Sequence, residues 1–336
     1  MCCLFGLFDY RRSLTMKQKN RLLSALAAAS EARGTDATGI AYHSGGQLHI
    51  YKRPLPGHWM RFKVPTDAVA VMGHTRMATQ GSARKNRNNH PFVGHAESGD
   101  FALAHNGVLY NDDILRQELH LPKTKIETDS YVSVQLLEQR NNVDADSLRY
   151  MAEQVRGSFT FTILDKQDTL HIVKGDNPVC LHHFPRRGLY LYASTEAILT
   201  TALEHLNFPG GEAVPVSCGE ILQIRTDGSI QRTYFDALHC GRDGIRTGGQ
   251  AGGRCTRRLR PLWKQAIWRS SARWRRPSGT PRRISTLCFG RDLPPMRSRS
   301  FYTHEKGGAR WKSKRQSPHT GRRRSPQMSF WTITVR

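Results

Sequence analysis

The chain has 336 residues, 51 Lys+Arg against 27 Asp+Glu, and a formal net charge of +24. Spread evenly, that charge would point to nucleic acid or a membrane surface. It is not spread evenly: residues 237–336 hold 25 Lys+Arg and three acids (net +22), leaving 26 Lys+Arg and 24 Asp+Glu (net +2) in residues 1–236. No run of 18 apolar residues occurs, so no transmembrane helix is expected. Met-Cys-Cys-Leu-Phe-Gly lacks the basic start of a signal peptide. Seven cysteines, an odd number without C-x-x-C spacing, favour reduced thiols and a cytoplasmic setting.

In chain order, Leu4–Phe8 is an apolar run of strand length. Residues 17–33 carry a helical face through Leu22, Leu23, Leu26, Ala27 and Ser30, stopped by Gly34. Gly39–Tyr42 and Leu48–Lys52 are expected strands joined by Ser44-Gly45-Gly46. Val69–Thr75 and Phe101–Asn106 are strand-like, and residues 112–119, 129–140 and 147–155 are helical. After Gly157 the period falls to two, with strands expected at 158–164, 169–174, 189–194, 219–224 and 230–234. Several strands and few helices imply α+β architecture, two sheets covered by helices.

Four short pieces carry chemistry. Cys2 becomes N-terminal once Met1 is cleaved, and its own α-amine (pKa about 7.7–8.0) can then serve as base for its thiol (about 8.5). Arg76, in Gly73-His74-Thr75-Arg76-Met77-Ala78-Thr79-Gln80-Gly81, offers a fork for a carboxylate, or is a plain strand-end arginine. Asn106-Gly107 at a strand end suits an oxyanion hole, or a turn. In Glu127-Thr128-Asp129-Ser130, Asp129 can receive an ammonium, while Thr128 or Asp129 would also serve as an N-cap. Cys180-Leu181-His182-His183 is a weak metal candidate, because adjacent strand residues point to opposite faces. Exposed strand-end histidines are expected there instead.

Taken together and in this order, these pieces resemble the class II glutamine amidotransferases, most of all the glutaminase domain of glucosamine-6-phosphate synthase. The motifs are Cys2 with Phe5-Gly6, Arg33-Gly34-x-Asp36-x-x-Gly39, His74-Thr75-Arg76-x-Ala78-Thr79-x-Gly81, His105-Asn106-Gly107 and Glu127-Thr128-Asp129. The likeness continues more weakly through Gly157-Ser158-Phe159, Lys174-Gly175-Asp176-Asn177-Pro178 and Ala193-Ser194-Thr195-Glu196.

The resemblance implies a four-layer αββα sandwich of the N-terminal-nucleophile hydrolase type over residues 2–236. It implies Cys2 as nucleophile, Asn106 and Gly107 as oxyanion hole, and Arg76, Thr79 and Asp129 as the glutamine pocket. The implied reaction is hydrolysis of glutamine to glutamate and ammonia through a γ-glutamyl thioester, without a metal or other cofactor. In the family the ammonia feeds a synthase domain on the same chain, and residues 237–336 resemble none, so two readings are open: a free-standing glutaminase domain, or an unidentified acceptor or synthase on another chain. Three positions depart from the family pattern: Cys3 for Gly, Met77 for Trp and Gln80 for His. Cys3 beside the nucleophile is expected to crowd it or compete as a second thiol. Bile-salt-hydrolase-type relatives also begin with Cys, but the Arg76 and Asp129 pieces fit an amino-acid substrate better.

Residues 237–336 hold 21 Arg, five of the six Trp and one Val, without apolar period, so a disordered basic tail is expected. Two readings of it are open. One is a nucleic-acid-binding arm with Trp263, Trp268, Trp274, Trp311 and Trp331 available for stacking, attached to a weakened glutaminase-like domain. The favoured one is translation in a shifted frame of a G+C-rich gene.

Overall fold

The computed structural model describes residues 2–238 and the backbone of Ile333–Thr334; the rest of the expected basic tail lies outside the described residues. β1 (Cys3–Asp9) is buried at all seven positions. A strand covered on both faces needs a continuous apolar run rather than alternation. Cys3, Phe5 and Leu7 pack with α1 (Met16–Ala29) and α5 (Glu196–His205), while Leu4 and Phe8 pack in the core between two sheets.

The first sheet runs β11 (Glu212–Val214), β9 (Cys180–Phe184), β10 (Leu189–Ala193), β1, β4 (Ala70–Arg76), β2 (Ala37–Ser44), β3 (Gln47–Arg53) and the two-residue β14 (Ile333–Thr334). The second runs β13 (Ile230–Tyr234), β12 (Glu220–Ile224), β8 (Leu170–Lys174), β7 (Gly157–Leu164), β6 (Phe101–Leu109) and β5 (Phe92–Gly94). Neighbouring strands are antiparallel in both sheets. Ala102, Ala104, Leu164, Ile172 and Leu222 meet Leu4, Phe8, Ala70 and Met72 between them. The outer face of the second sheet packs Leu103, Phe159, Phe161 and Ile163 against α3 (Tyr131–Arg140) and α4 (Ala145–Gln154). The result is the αββα sandwich that the resemblance implied.

Local chemistry sets the element ends. Thr15 and Gln18 form a reciprocal capping box, each side chain accepting the other's backbone N–H, which starts α1. The helix expected to run to residue 33 ends at Ala29 and tightens into a 3-10 turn over Ser30–Ala32. The helix expected from residue 129 starts later, with Ser130 at its N-cap position, so neither Thr128 nor Asp129 caps it. Asn106-Gly107 is not a turn but lies inside β6, paired with Thr160 and Phe159. His182 and His183 are part-buried rather than exposed: His182 bonds Glu196 and His183 bonds the Tyr10 hydroxyl, on opposite faces of β9. α5, β5, β9, β11 and β14 are the helix and strands that the hydropathy pattern did not announce, and β14 pairs with β3 although it lies in the segment expected to be disordered.

Candidate active site

β1 and β6 belong to different sheets, yet their ends meet at one cleft of about 450 Å³. Cys2, Thr79, Asn106 and Gly107 all line it, together with Met77, Val108, Tyr110, Ser158, Asp176 and Asn177. The nucleophile candidate and the oxyanion-hole candidates therefore face the same space.

Cys2 is held from behind and from the side. Arg33 Nε donates to the Cys2 carbonyl at 2.8 Å, and the Cys2 thiol lies 3.6 Å from the Met77 carbonyl. Burial pushes the Cys2 pKa up, and the bond to Met77 and the charge of Arg76 only partly oppose that. The thiol is therefore protonated near neutral pH and needs a base before it can attack.

Gly107 has φ +151°, a conformation that an L side chain rarely adopts, and a Cβ there would lie 1.8 Å from the Ser158 carbonyl oxygen. Glycine is the residue that fits. The neighbouring carbonyl of Asn106 accepts from Asn177 Nδ2 at 2.8 Å, and the Asn106 Nδ2 donates to Ser194 Oγ at 3.4 Å. His105 is fixed as well: its Nδ1 pairs with Ser130 Oγ at 2.8 Å, and its carbonyl accepts from His74 Nε2 at 3.0 Å. Burial pushes the pKa of His74 down to about 3 and lowers those of His90 and His105, so this group packs behind the site as neutral rings.

Arg76 and Asp129 are not among the cleft-lining residues. Arg76 is 3% exposed and already bonded: to Asn89 Oδ1 at 2.8 Å, to the Gly81 carbonyl at 3.0 Å and to the Gln80 carbonyl. Asp129 is 4% exposed, and its carboxylate accepts from Leu109 N at 2.7 Å and Ser130 Oγ at 3.3 Å. Both charges nonetheless act on the Cys2 thiol, Arg76 lowering its pKa and Asp129 raising it.

The 76–81 loop is fastened at several points. Asp36 accepts from Ala78 N at 2.8 Å, and Gly34 lets the loop pass, since a Cβ there would lie 2.5 Å from Arg76 C. Gln80 Oε1 accepts from Asp129 N at 3.0 Å, so the side chain that departs from the family pattern ties this loop to the start of α3. Met77 remains 49% exposed at the cleft mouth.

Cys3 does not compete with Cys2. It is fully buried on the α1 face of β1, with its thiol 3.3 Å from Ser30 Oγ. Burial raises its pKa against hydrogen bonds with Ser30 and Ser194, so it is a packed thiol outside the cleft.

Sequence reasoning gave no role to Arg33, Asp36, Asn177 or Ser194, although each lay inside a quoted motif. Ser158, Asp176 and Tyr110 were not singled out individually. Among the described residues no cluster of three or more His, Cys, Asp or Glu could hold a metal ion, and no helix is long and apolar enough to cross a membrane.

The chain is similar to known glutamine amidotransferases. Residues 74–201 match the family described as "Glutamine amidotransferase domain". The chain is 29% identical over 240 residues to an amidophosphoribosyltransferase of Methanocaldococcus jannaschii, covering 68% of this chain and 49% of that protein. It is 31% identical over 246 residues to a glutamine–fructose-6-phosphate aminotransferase (isomerizing) of Halalkalibacterium halodurans, covering 70% and 39%. The counterpart of Bacillus licheniformis is 33% identical over 210 residues, covering 60% and 34%. The chain thus spans half or less of the length of these relatives. A solved glutamine phosphoribosylpyrophosphate amidotransferase from B. subtilis shares the fold, with a TM-score of 0.56 at 21% identity over 70% of this chain and 49% of that one.

Proposed function

The chain carries a class II glutamine amidotransferase domain of the N-terminal-nucleophile type, and from that premise we propose that Cys2 hydrolyses the side-chain amide of glutamine. The supporting observation is the convergence of Cys2, Asn106 and Gly107 on one cleft.

The chemistry follows from what these groups can do. Removal of Met1 frees the Cys2 α-amine, which takes the proton from the thiol as the sulfur attacks the amide carbon. The carbonyl oxygen becomes an oxyanion, stabilised by the Asn106 side chain and the Gly107 backbone N–H. The amine returns its proton to the leaving nitrogen, and ammonia departs. Water, deprotonated by the same amine, then opens the γ-glutamyl thioester and releases glutamate. Arg76 takes the substrate α-carboxylate and Asp129 its α-ammonium, with Thr79 lining the pocket. Two relatives are named for moving glutamine nitrogen to fructose 6-phosphate. We assign the ammonia here to a synthase domain or partner of the same general kind, its acceptor unspecified.

The purified full chain, with Met1 loss verified by mass spectrometry, should convert glutamine to equal amounts of glutamate and ammonia. Activity should fall as pH drops below the amine pKa of about 7.7–8.0, because the protonated amine cannot act as base. Full glutaminase activity in Cys2→Ala would show that Cys2 is not the nucleophile.

A further inference from the structure

The backbone ladder between β1 and β10 stops at Phe5 and Ala193, where the chain leaves the sheet to enter α5. The next amide of β1, Leu4 N–H, is taken by a side chain instead: it donates to Ser194 Oγ at 2.8 Å. The same oxygen accepts from Asn106 Nδ2 at 3.4 Å, across to the other sheet. Ser194 is fully buried, and the residues it joins are 190 and 88 positions away in sequence. One hydroxyl therefore bridges the strand that leads to Cys2 and the strand that carries the oxyanion hole.

A hydroxyl oxygen has two lone pairs, and these two donors fill them. A primary amide has two N–H groups. With one given to Ser194, the other is left for the oxyanion and the amide plane is fixed. We propose that Ser194 is a positioning residue for the oxyanion hole: anchored by Leu4 N–H, its hydroxyl holds the Asn106 carboxamide in the orientation that presents its second N–H to the cleft. Cys3 packs into the same cluster through Ser30 and Ser194, so the side chain that replaces the family's glycine braces this junction. The inference rests on the glutaminase reading given above.

The test is steady-state glutaminase kinetics on the full chain with Ser194→Ala, Ser194→Cys and Ser194→Thr, alone and combined with Asn106→Ala. Loss of the hydroxyl should lower kcat about 10- to 100-fold with KM within about threefold, because misplaced transition-state donors cost rate rather than ground-state binding. Ser194→Cys, which keeps the volume, should show the same loss. Ser194→Thr, which keeps the hydroxyl, should stay within about threefold of the parent. In the Asn106→Ala background the Ser194 substitutions should cost less than about threefold, since the group they position is gone. Equal losses in both backgrounds would overturn the proposal, as would Ser194→Cys with parental kcat. These outcomes are separate from the nucleophile assignment, which stands or falls on Cys2→Ala.

Discussion

Cys2, Asn106 and Gly107 on one side and the buried charges of Arg76 and Asp129 on the other stand in opposite states. The first group lines the open space. The second group is buried and bonded within the protein, Arg76 to Asn89, Gln80 and Gly81 and Asp129 to Leu109 and Ser130. The groups proposed to react thus sit at one cleft on segments of two different sheets. On the proposed reading, Arg76 and Asp129 exchange protein partners for the carboxylate and ammonium of glutamine. Each exchange trades hydrogen bonds to a charged group, worth about 1.5–3 kcal/mol net, for others of the same kind. Substitutions in the first group should therefore move kcat, and those in the second should move KM and stability together.

The largest effect tests the first half of that contrast. Cys2→Ala should reduce glutamine hydrolysis by about 10⁴-fold or more, measured as glutamate release after verified Met1 removal. Asn106→Ala should lower kcat by about 100- to 1,000-fold with little change in KM, the usual cost of one oxyanion donor. An Asn106→Ala enzyme that changed only KM would break the division, placing Asn106 with the recognition groups.

The second half is tested by Arg76→Ala and Asp129→Ala. Each should raise KM for glutamine about 10- to 100-fold while kcat changes far less. Each should also lower the urea midpoint, because the Asn89 side chain or the Leu109 amide loses its partner at a cost of about 1–3 kcal/mol. A variant with parental KM but reduced stability would show that the charge is purely structural and that glutamine is gripped elsewhere.

The same contrast explains what the sequence announced. Cys2, Arg76 and Asn106-Gly107 could be singled out as candidates because their chemistry is local: a terminal thiol, a strand-end guanidinium, an amide beside a glycine. The sandwich was legible because strands covered on both faces, such as β1, keep continuous apolar runs. Ser194 and Asn177 are hydrogen-bonded to a partner 88 and 71 residues away, and a small polar residue gives no sign of that in its own segment. Asp129 looks like a helix cap, but tertiary contact with Leu109 N wins and Ser130 takes the cap position. α5 escaped notice because Thr200 and Thr201 interrupt a short helix with β-branched residues inside a strand-rich region. β5 is only three residues long and follows a proline, too short to show a period.

The smallest effect concerns the support behind Arg76. Asn89 is shared by two cations: its side chain accepts from Arg76, and its carbonyl accepts from Lys52 Nζ, which also reaches the Pro91 carbonyl at 2.9 Å. Burial, reinforced by the Arg76 charge, lowers the Lys52 pKa from the ordinary 10.5 to about 7. Between those two values the unfolded chain holds a proton that the folded chain lacks. Unfolding then takes up a proton, and raising the pH from about 7 towards 10 stabilises the fold. The ceiling for one such group is about 1.4 kcal/mol per pH unit, and Lys52 should show a fraction of it because its side chain is only part-buried. Urea midpoints at pH 7 and pH 9.5 should therefore separate less in Lys52→Met than in the parent. Glutamine KM in that variant should rise only about twofold, since Asn89 keeps its bond to Arg76. An equal midpoint separation in both proteins would mean that Lys52 titrates near its ordinary value. A KM increase as large as that of Arg76→Ala would instead place Lys52 with the recognition charges rather than behind them.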